Sequence, residues 1–400
     1  MKSLIELFPQ HLHVNNEGQR RSCIMKETST SGEVVETELW FVYPTGLQML
    51  EDNNCDSYLL SILLLGMQQN SNIIVHGSVS GKLLANLTEL QYIWNRWCPE
   101  DYSLVEMIVD DIREDEIQVD GAVFAFSGGV DAQFTAYRHA TGKAGYCTQK
   151  SRAAVLVHGF DIPITDTKGF LGAAKKATET LDSIGINLLV VKTNIKDLKL
   201  NWEYNHGLAV ASVLSGLSMY AGTGMIGSGD PYESLETPWG SNPMTDPLFS
   251  SDSFRMIHDG AGFSRSEKVK VLSEWAVGMK NLRVCWEGDL KDSNCGKCEK
   301  CVRTRLNFLL AGIPNPECFG TPITKELFKP IVLKNGAARI EWILIRSEMK
   351  RTKTGIEWLP EIEEVFKRKP KFRLKPKLVS LLLPPGTQRR TLIKDLLKKT

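Results

Sequence analysis

Two groups of residues in this 400-residue chain have the types and spacing to do chemistry. The first is Ser127-Gly128-Gly129-Val130-Asp131, inside "FAFSGGVDA". Glycine lets a backbone approach an anion closely because no Cβ stands in the way. A helix starting just after such a turn points its free N–H groups and positive dipole end at the same place. The stretch therefore reads as a phosphate cradle. It lacks the lysine of the nucleoside-triphosphatase P-loop and is too short for the dinucleotide pattern G-x-G-x-x-G. The second group is Cys285, Cys295, Cys298 and Cys301. Three thiols within seven residues cannot pair among themselves without leaving one over, but all four can converge on one metal. The two-residue gaps let a tight turn, eased by Gly296, present successive sulfurs to one point. A ferredoxin-type cluster would need a further cysteine three residues on, followed by proline. Thr304 and Arg305 occupy that region, so Zn²⁺ is the preferred reading. With no vacant ligand position such a site is structural, contributing on the order of 10 kcal/mol to local folding.

These residues need a scaffold that brings the loop to an open edge. From about residue 118, apolar runs ("GAVFAF", "AAVLVHGFDI", "NLLVVKTN", "AGTGMIGSG") alternate with helical stretches ("DAQFTAYRHATG", "KGFLGAAKKATETLDSIG", "HGLAVASVLSGLSMY"). Strands that are apolar throughout, separated by helices, predict an α/β fold with a doubly wound parallel sheet, whose ligands sit at the carboxyl ends of the strands. Residues 1–115 read as an additional α+β module. In it "VVETELWFVYP" and "SNIIVHG" have strand character, and Ser80 caps a helix with an apolar stripe from Leu83 to Trp97. Within that module "GSVSGKL" is one residue short of a P-loop and has Leu83 where a hydroxyl is needed, so it reads as a strand–helix turn. Residues 116–330 form the second unit, with its cysteine segment at 285–301, and 331–400 a helical extension ending in a basic tail.

Placed after a strand and before a helix, "SGGVDA" resembles the S-G-G-x-D-S signature of the N-type ATP pyrophosphatase (PP-loop) superfamily. The resemblance implies an adenine-nucleotide α-hydrolase-like fold, cleavage of ATP between the α and β phosphates, and adenylation of a carboxylate or carbonyl oxygen. A nitrogen or sulfur nucleophile then displaces AMP. On this resemblance Ser127, Gly128, Gly129, Val130 and Asp131 hold the pyrophosphate and its Mg²⁺. Ala132 stands where the signature has serine, which removes one hydroxyl contact, a loss of about 1–3 kcal/mol. The spacing "CGKCEKC" with its following helix is similar to the zinc segment of 7-cyano-7-deazaguanine synthase-like proteins, as is the stretch "SRSEKVKVLSEWAVGMKNLRVCW" that leads into it. That resemblance spans roughly residues 118–320. It implies ATP, Mg²⁺ and Zn²⁺ as cofactors and a deazapurine-like small molecule as substrate. The acceptor would be ammonia or a protein amine. Relatives of this kind occur in antiviral defence islands and biosynthetic clusters. The segment from Gly227 to Gly260 departs from the synthase pattern, and residues 1–115 have no counterpart in it.

Further candidates follow from the same placement. Gly159 and His158, at the end of the second strand, are adenosine contacts, though His158 reads equally as a core histidine. Arg265 and Lys268 either hold phosphate or substrate carboxylate, or lie on a solvated helix face. Asp230 either reads a purine-like N–H edge or caps a turn before Pro231. Trp239 and Phe249 either stack on a heterocycle or pack a lid. An alternative reading of the whole is a catalytically degenerate nucleotide-binding module, acting as a sensor or docking protein. A thiolating enzyme would need a reactive cysteine near the loop, and none is evident.

Composition sets the limits. Hydrophobic residues make up 42% and charged residues 24%, an ordinary globular balance that needs no disulfide framework. The longest apolar run, "LLSILLLGM", falls far short of the roughly 20 residues of a membrane span. No signal peptide is evident in "MKSLIELFPQHLHV". The nine cysteines would leave one over in a disulfide scheme, so a reducing, cytoplasmic setting is expected. The net charge of +1 hides an asymmetry, because residues 367–400 carry twelve Lys or Arg and one acid, Asp395. That tail reads first as a solvated extension and second as a dock for nucleic acid or an acidic partner.

Overall fold

A computed structural model describes residues 3–368 apart from 115, 117, 118, 286 and 289; the basic segment from 369 onward lies outside the described residues. Strands β1 (Ser3–Pro9), β2 (His13–Asn15), β3 (Gly18–Thr28) and β4 (Val34–Tyr43) come first. Helix α1 (Asp56–Gln69), strand β5 (Ser71–Ser80), helix α2 (Gly81–Trp97) and strand β6 (Met107–Arg113) follow. From residue 122 strands and helices alternate as β7 (Ala122–Ala125), α3 (Val130–Ala140), β8 (Ser151–His158), α4 (Thr167–Asp182), β9 (Asn187–Thr193), α5 (Trp202–Ser215) and β10 (Thr223–Gly227). A long connection leads to β11 (Arg255–Asp259), then to helices α6 (Arg265–Leu272), α7 (Ala276–Lys280), α8 (Glu299–Leu310), α9 (Gly336–Thr352) and α10 (Leu359–Lys367).

The strands form one mostly parallel sheet in the order β11-β10-β7-β8-β9-β4-β3-β1-β5-β6, with β2 paired to β3. The five strands of residues 122–259 are parallel throughout. The chain adds β8 and β9 on one side of β7, then returns to add β10 and β11 on the other. Such a reversal leaves a crevice at the carboxyl ends of the two flanking strands, here β7 and β10. The strands of residues 3–113 lie in the same sheet, joined where β4 pairs antiparallel with β9 through Phe41↔Thr193 and Val42↔Lys192.

Helices cover both faces, as strands apolar on both sides require. Phe124, Ala154 and Leu156 pack on one face with Ala136 of α3 and Phe170, Ala173 and Leu181 of α4. Val123, Val155 and Val191 face the other way, toward Leu208 and Val213 of α5 and the leucines of α1. The apolar run of residues 59–67 is thus a core helix, buried from Asp56 to Met67. It is tied to α5 by a bond between the Ser57 and Ser215 hydroxyls (3.0 Å), while the Tyr43 hydroxyl donates to the Val213 carbonyl (3.1 Å).

The segment from Gly227 to Gly260, which departs from the synthase pattern and holds the stacking or lid candidates Trp239 and Phe249, is not irregular throughout: residues 255–259 form the edge strand β11 beside β10. Only Met256 and Ile257 in "RMIHD" are apolar, too few for a strand pattern; pairing with β10 decides the conformation. Phe249, in the preceding connection, is buried in the main core and does not face a cavity.

Candidate functional site

The carboxyl ends of β7, β8 and β10 open into a cavity of about 450 Å³. Its floor includes Phe126, Ser127 and Asp131 from the turn after β7, Phe160 and Asp161 from the turn after β8, and Gly229 and Asp230 from the turn after β10. The turn after β7 takes the shape foreseen from its glycines. Gly128 sits at φ +79°, a conformation that strains any residue with a Cβ. Gly129 then caps α3 without any side-chain bond, so the first N–H groups of α3 face the turn. Arg283 holds this turn from behind: its backbone N–H donates to the Gly128 carbonyl (2.8 Å) and its guanidinium to the Ser127 carbonyl (2.9 Å).

Asp131 carries the charge of the site. One carboxylate oxygen accepts from Arg265 (2.8 Å) and the other from Lys268 (3.0 Å). Burial alone would raise the pKa of Asp131, but the charges of Arg265 and Lys268 outweigh it and hold the carboxyl below its usual range. Both cations come from α6, whose first turn is fixed by a capping box between Ser264 and Glu267. Neither lies on a solvated face: Arg265 is 9% exposed and Lys268 fully buried, its ammonium also donating to the Ser228 carbonyl. Asp230 sits across the cavity without such compensation. Burial, then the charge of Glu341, pushes its carboxyl up to about 6.

Among the sequence candidates, Ser127, Asp131, Asp230 and Arg265 line the cavity together, and Trp239 joins them. Gly129 and Val130 line a smaller chamber beside the turn. His158 and Gly159 do not line the cavity. The His158 ring stacks on Phe170 of α4 at 4.1 Å and its Nε2 bonds the Pro163 carbonyl (2.9 Å); burial lowers its basicity. Gly159, at φ +110°, lies so close to β9 that a Cβ would stand 2.0 Å from the Thr193 carbonyl oxygen. That approach, rather than a ligand, accounts for glycine there.

Much of the remaining wall comes from residues that sequence reasoning passed over. One side is an aromatic row, in which Phe160 meets Trp202 edge-on (5.1 Å) and Trp239 meets His206 (5.4 Å). The roof is the start of α9, where Asn335 caps the helix by accepting from the Ala338 N–H and ties it to α5 by donating to Glu203 (2.6 Å). One turn on, Glu341 reaches Arg265 (3.6 Å) and Arg303 (3.4 Å). The third side is the start of α8, with Glu299, Lys300 and Arg303. The signal available was modest: "NGAA" is a helix start, and Lys300 stands between two cysteines.

The cysteine segment borders this cavity through Cys285 and Cys298. The four sulfurs of Cys285, Cys295, Cys298 and Cys301 lie within 4.8 Å of one another. Cys285 and Cys298 are 3.7 Å apart, Cys295 and Cys301 3.8 Å. A tetrahedral Zn²⁺ with Zn–S near ~2.3 Å places its sulfurs about 3.8 Å apart, so the donor set and spacing fit zinc and are far too wide for disulfides. The hydrogen bond from Cys301 lowers the pKa of the Cys298 thiol, in the direction that favours the thiolate a cation needs.

Among the described residues no helix is long and apolar enough to cross a membrane. Compared with protein-family models, with curated proteins and with solved structures, the chain matches none of them.

Proposed function

We propose that this chain is a PP-loop ATP pyrophosphatase with a doubly wound nucleotide-binding sheet, a Zn²⁺ on its four cysteines, and a ligase-type reaction. It would adenylate a small heterocyclic carboxylate, in the reading from sequence a 7-deazaguanine, and join it to a nitrogen nucleophile. The observation that carries this reading is the Ser127–Gly129 turn, opening into a cavity at the β7/β10 reversal with Asp131, Arg265 and Lys268 beside it. The turn and the α3 N-terminus supply donors to the two outer phosphates. A substrate carboxylate oxygen attacks the α-phosphorus and forms the new O–P bond. The bridging α–β bond breaks and pyrophosphate leaves with that electron pair. The amine then attacks the acyl carbon and AMP departs with the oxygen. Mg²⁺, the usual partner of such phosphates, would neutralise charge on the leaving group. Arg265 and Lys268 are placed to fix Asp131 and to balance the negative charge gathered there. The aromatic row from Phe160 to Trp239 suits a flat heterocycle, which gains from stacking.

One observation favours a second reading, a module that binds nucleotide without turnover. Both oxygens of Asp131 are already paired to cations, and Ala132 withholds the hydroxyl of the resembled signature. Incubating the protein with Mg-ATP, 7-carboxy-7-deazaguanine and ammonia separates the two. AMP and pyrophosphate support the ligase; nucleotide binding without pyrophosphate release supports the module; ADP as the only product contradicts both.

A further inference from the structure

The cysteine centre touches the phosphate loop from two sides, and neither contact is needed for a remote staple. Upstream, Arg283 stands two residues before Cys285 and bonds both the Ser127 and Gly128 carbonyls. Downstream, Cys298 is the N-terminal cap of α8, a cap with no side-chain hydrogen bond, and Cys301 lies in the first turn of that helix. The metal ligands thus set where α8 begins and how it points. Between them stands Lys300.

In front of the loop lies a separate chamber of about 60 Å³, several times the ~10–15 Å³ that one water needs. It is lined by Ser127, Gly129, Asp131, Arg265, Lys300 and Thr304, with the start of α3 at one end. Arg265 is nine-tenths buried, yet its Nε has no hydrogen-bond partner. Two cations and a helix N-terminus bordering a small, half-open space, with the unpartnered N–H on one of those cations, suit a tetrahedral oxyanion.

We infer that this chamber takes the outer phosphate of a nucleotide, with Lys300 on α8 as its second cationic contact, and that anion binding at the loop therefore depends on the metal held by the four cysteines. The inference rests on the nucleotide reading above and extends it to a dependence on metal loading. Losing the metal frees Cys285 from Cys298 and Cys301. Arg283 then no longer braces the back of the turn, and Lys300 no longer faces its front.

Titration of the full chain with inorganic pyrophosphate, followed by calorimetry, tests this. Metal content and far-ultraviolet circular dichroism are recorded on each sample. The zinc-loaded chain is expected to bind pyrophosphate. The chelated, still helical chain should bind at least tenfold more weakly, and added Zn²⁺ should restore affinity. Lys300→Gln, with its zinc retained, should also bind at least tenfold more weakly. Unchanged affinity in the folded metal-free chain, or in zinc-loaded Lys300→Gln, overturns the inference while leaving the nucleotide reading intact. If chelation unfolds the chain, Lys300→Gln alone decides. If the zinc-loaded chain binds no pyrophosphate at all, the nucleotide reading fails and the inference with it.

Discussion

Asp131 and Asp230 face the same cavity, and their surroundings push them in opposite directions. Asp131 has two cations within 3.0 Å. Replacing it by Asn leaves Lys268 without its carboxylate and Arg265 with Glu341 alone. Breaking a fully buried pair costs about 3–5 kcal/mol, but this carboxylate is 24% exposed, so a loss of about 2 kcal/mol in unfolding free energy is expected. The rate of AMP formation should fall at least ~100-fold; retained activity would assign the chemistry to another loop. Asp230 is buried beside Glu341 and titrates near 6. A carboxyl raised above its unfolded value binds its proton more tightly when folded, so its contribution to stability falls as pH rises from about 4 through 6. Asp230→Asn should therefore stabilise the chain by about 1–2 kcal/mol at pH 7.5 and hardly at pH 4, read from denaturant melts at both pH values. Equal effects at both would show that Asp230 is not the titrating group. The residue types at Asp131, Arg265 and Lys268 were legible in the sequence, but their pairing was not. "SRSEKV" looks polar and solvent-facing until α6 is packed against α3, and only that packing turns two surface-like cations inward.

Elements explain which parts of the site the sequence disclosed. The strand–glycine–helix unit from β7 to α3 is local: four strand residues, a turn needing positive φ at Gly128, and a helix, all within 19 residues from Ala122 to Ala140. The cysteine spacing is local as well. The walls on α5 and α9 are not, because periodicity tells which face of a helix is buried and not which cavity it borders. Trp202 and Ala337 are 135 positions apart in the chain and line the same space. Likewise β11 exists through its partner β10 rather than through its own five residues. At this scale the metal should act locally. Chelation is expected to remove hydrogen-exchange protection from residues 283–310 and leave the strands β8 and β9 protected. Loss of protection throughout the sheet would mean that the cysteine centre holds up the whole fold.

Across the whole molecule the sheet is continuous, and the amino-terminal strands contribute to the half that carries the loop. The β4–β9 pairing is only two residues deep, but α1 covers the face of α5 opposite the cavity, with the Ser57–Ser215 bond between them. Removing residues 1–115 would uncover the β9 edge and the buried face of α5, both hazards for aggregation. A fragment of residues 116–368 is expected to be insoluble or to melt well below the full chain, which should itself unfold in one transition. Two separate transitions, and a soluble fragment, would show that the halves are independent. Residues 1–115 had strand and helix patterns legible in sequence, but nothing in one chain's periodicity reveals that two sheets fuse edge to edge. The proposed ligase chemistry stands on the fate of ATP at the Ser127–Gly129 turn. Incubation of the zinc-loaded protein with Mg-ATP labelled on the α-phosphate, a 7-carboxy-7-deazaguanine and ammonia should yield labelled AMP in step with pyrophosphate. Labelled ADP, or unchanged ATP with every deazaguanine supplied, would contradict it.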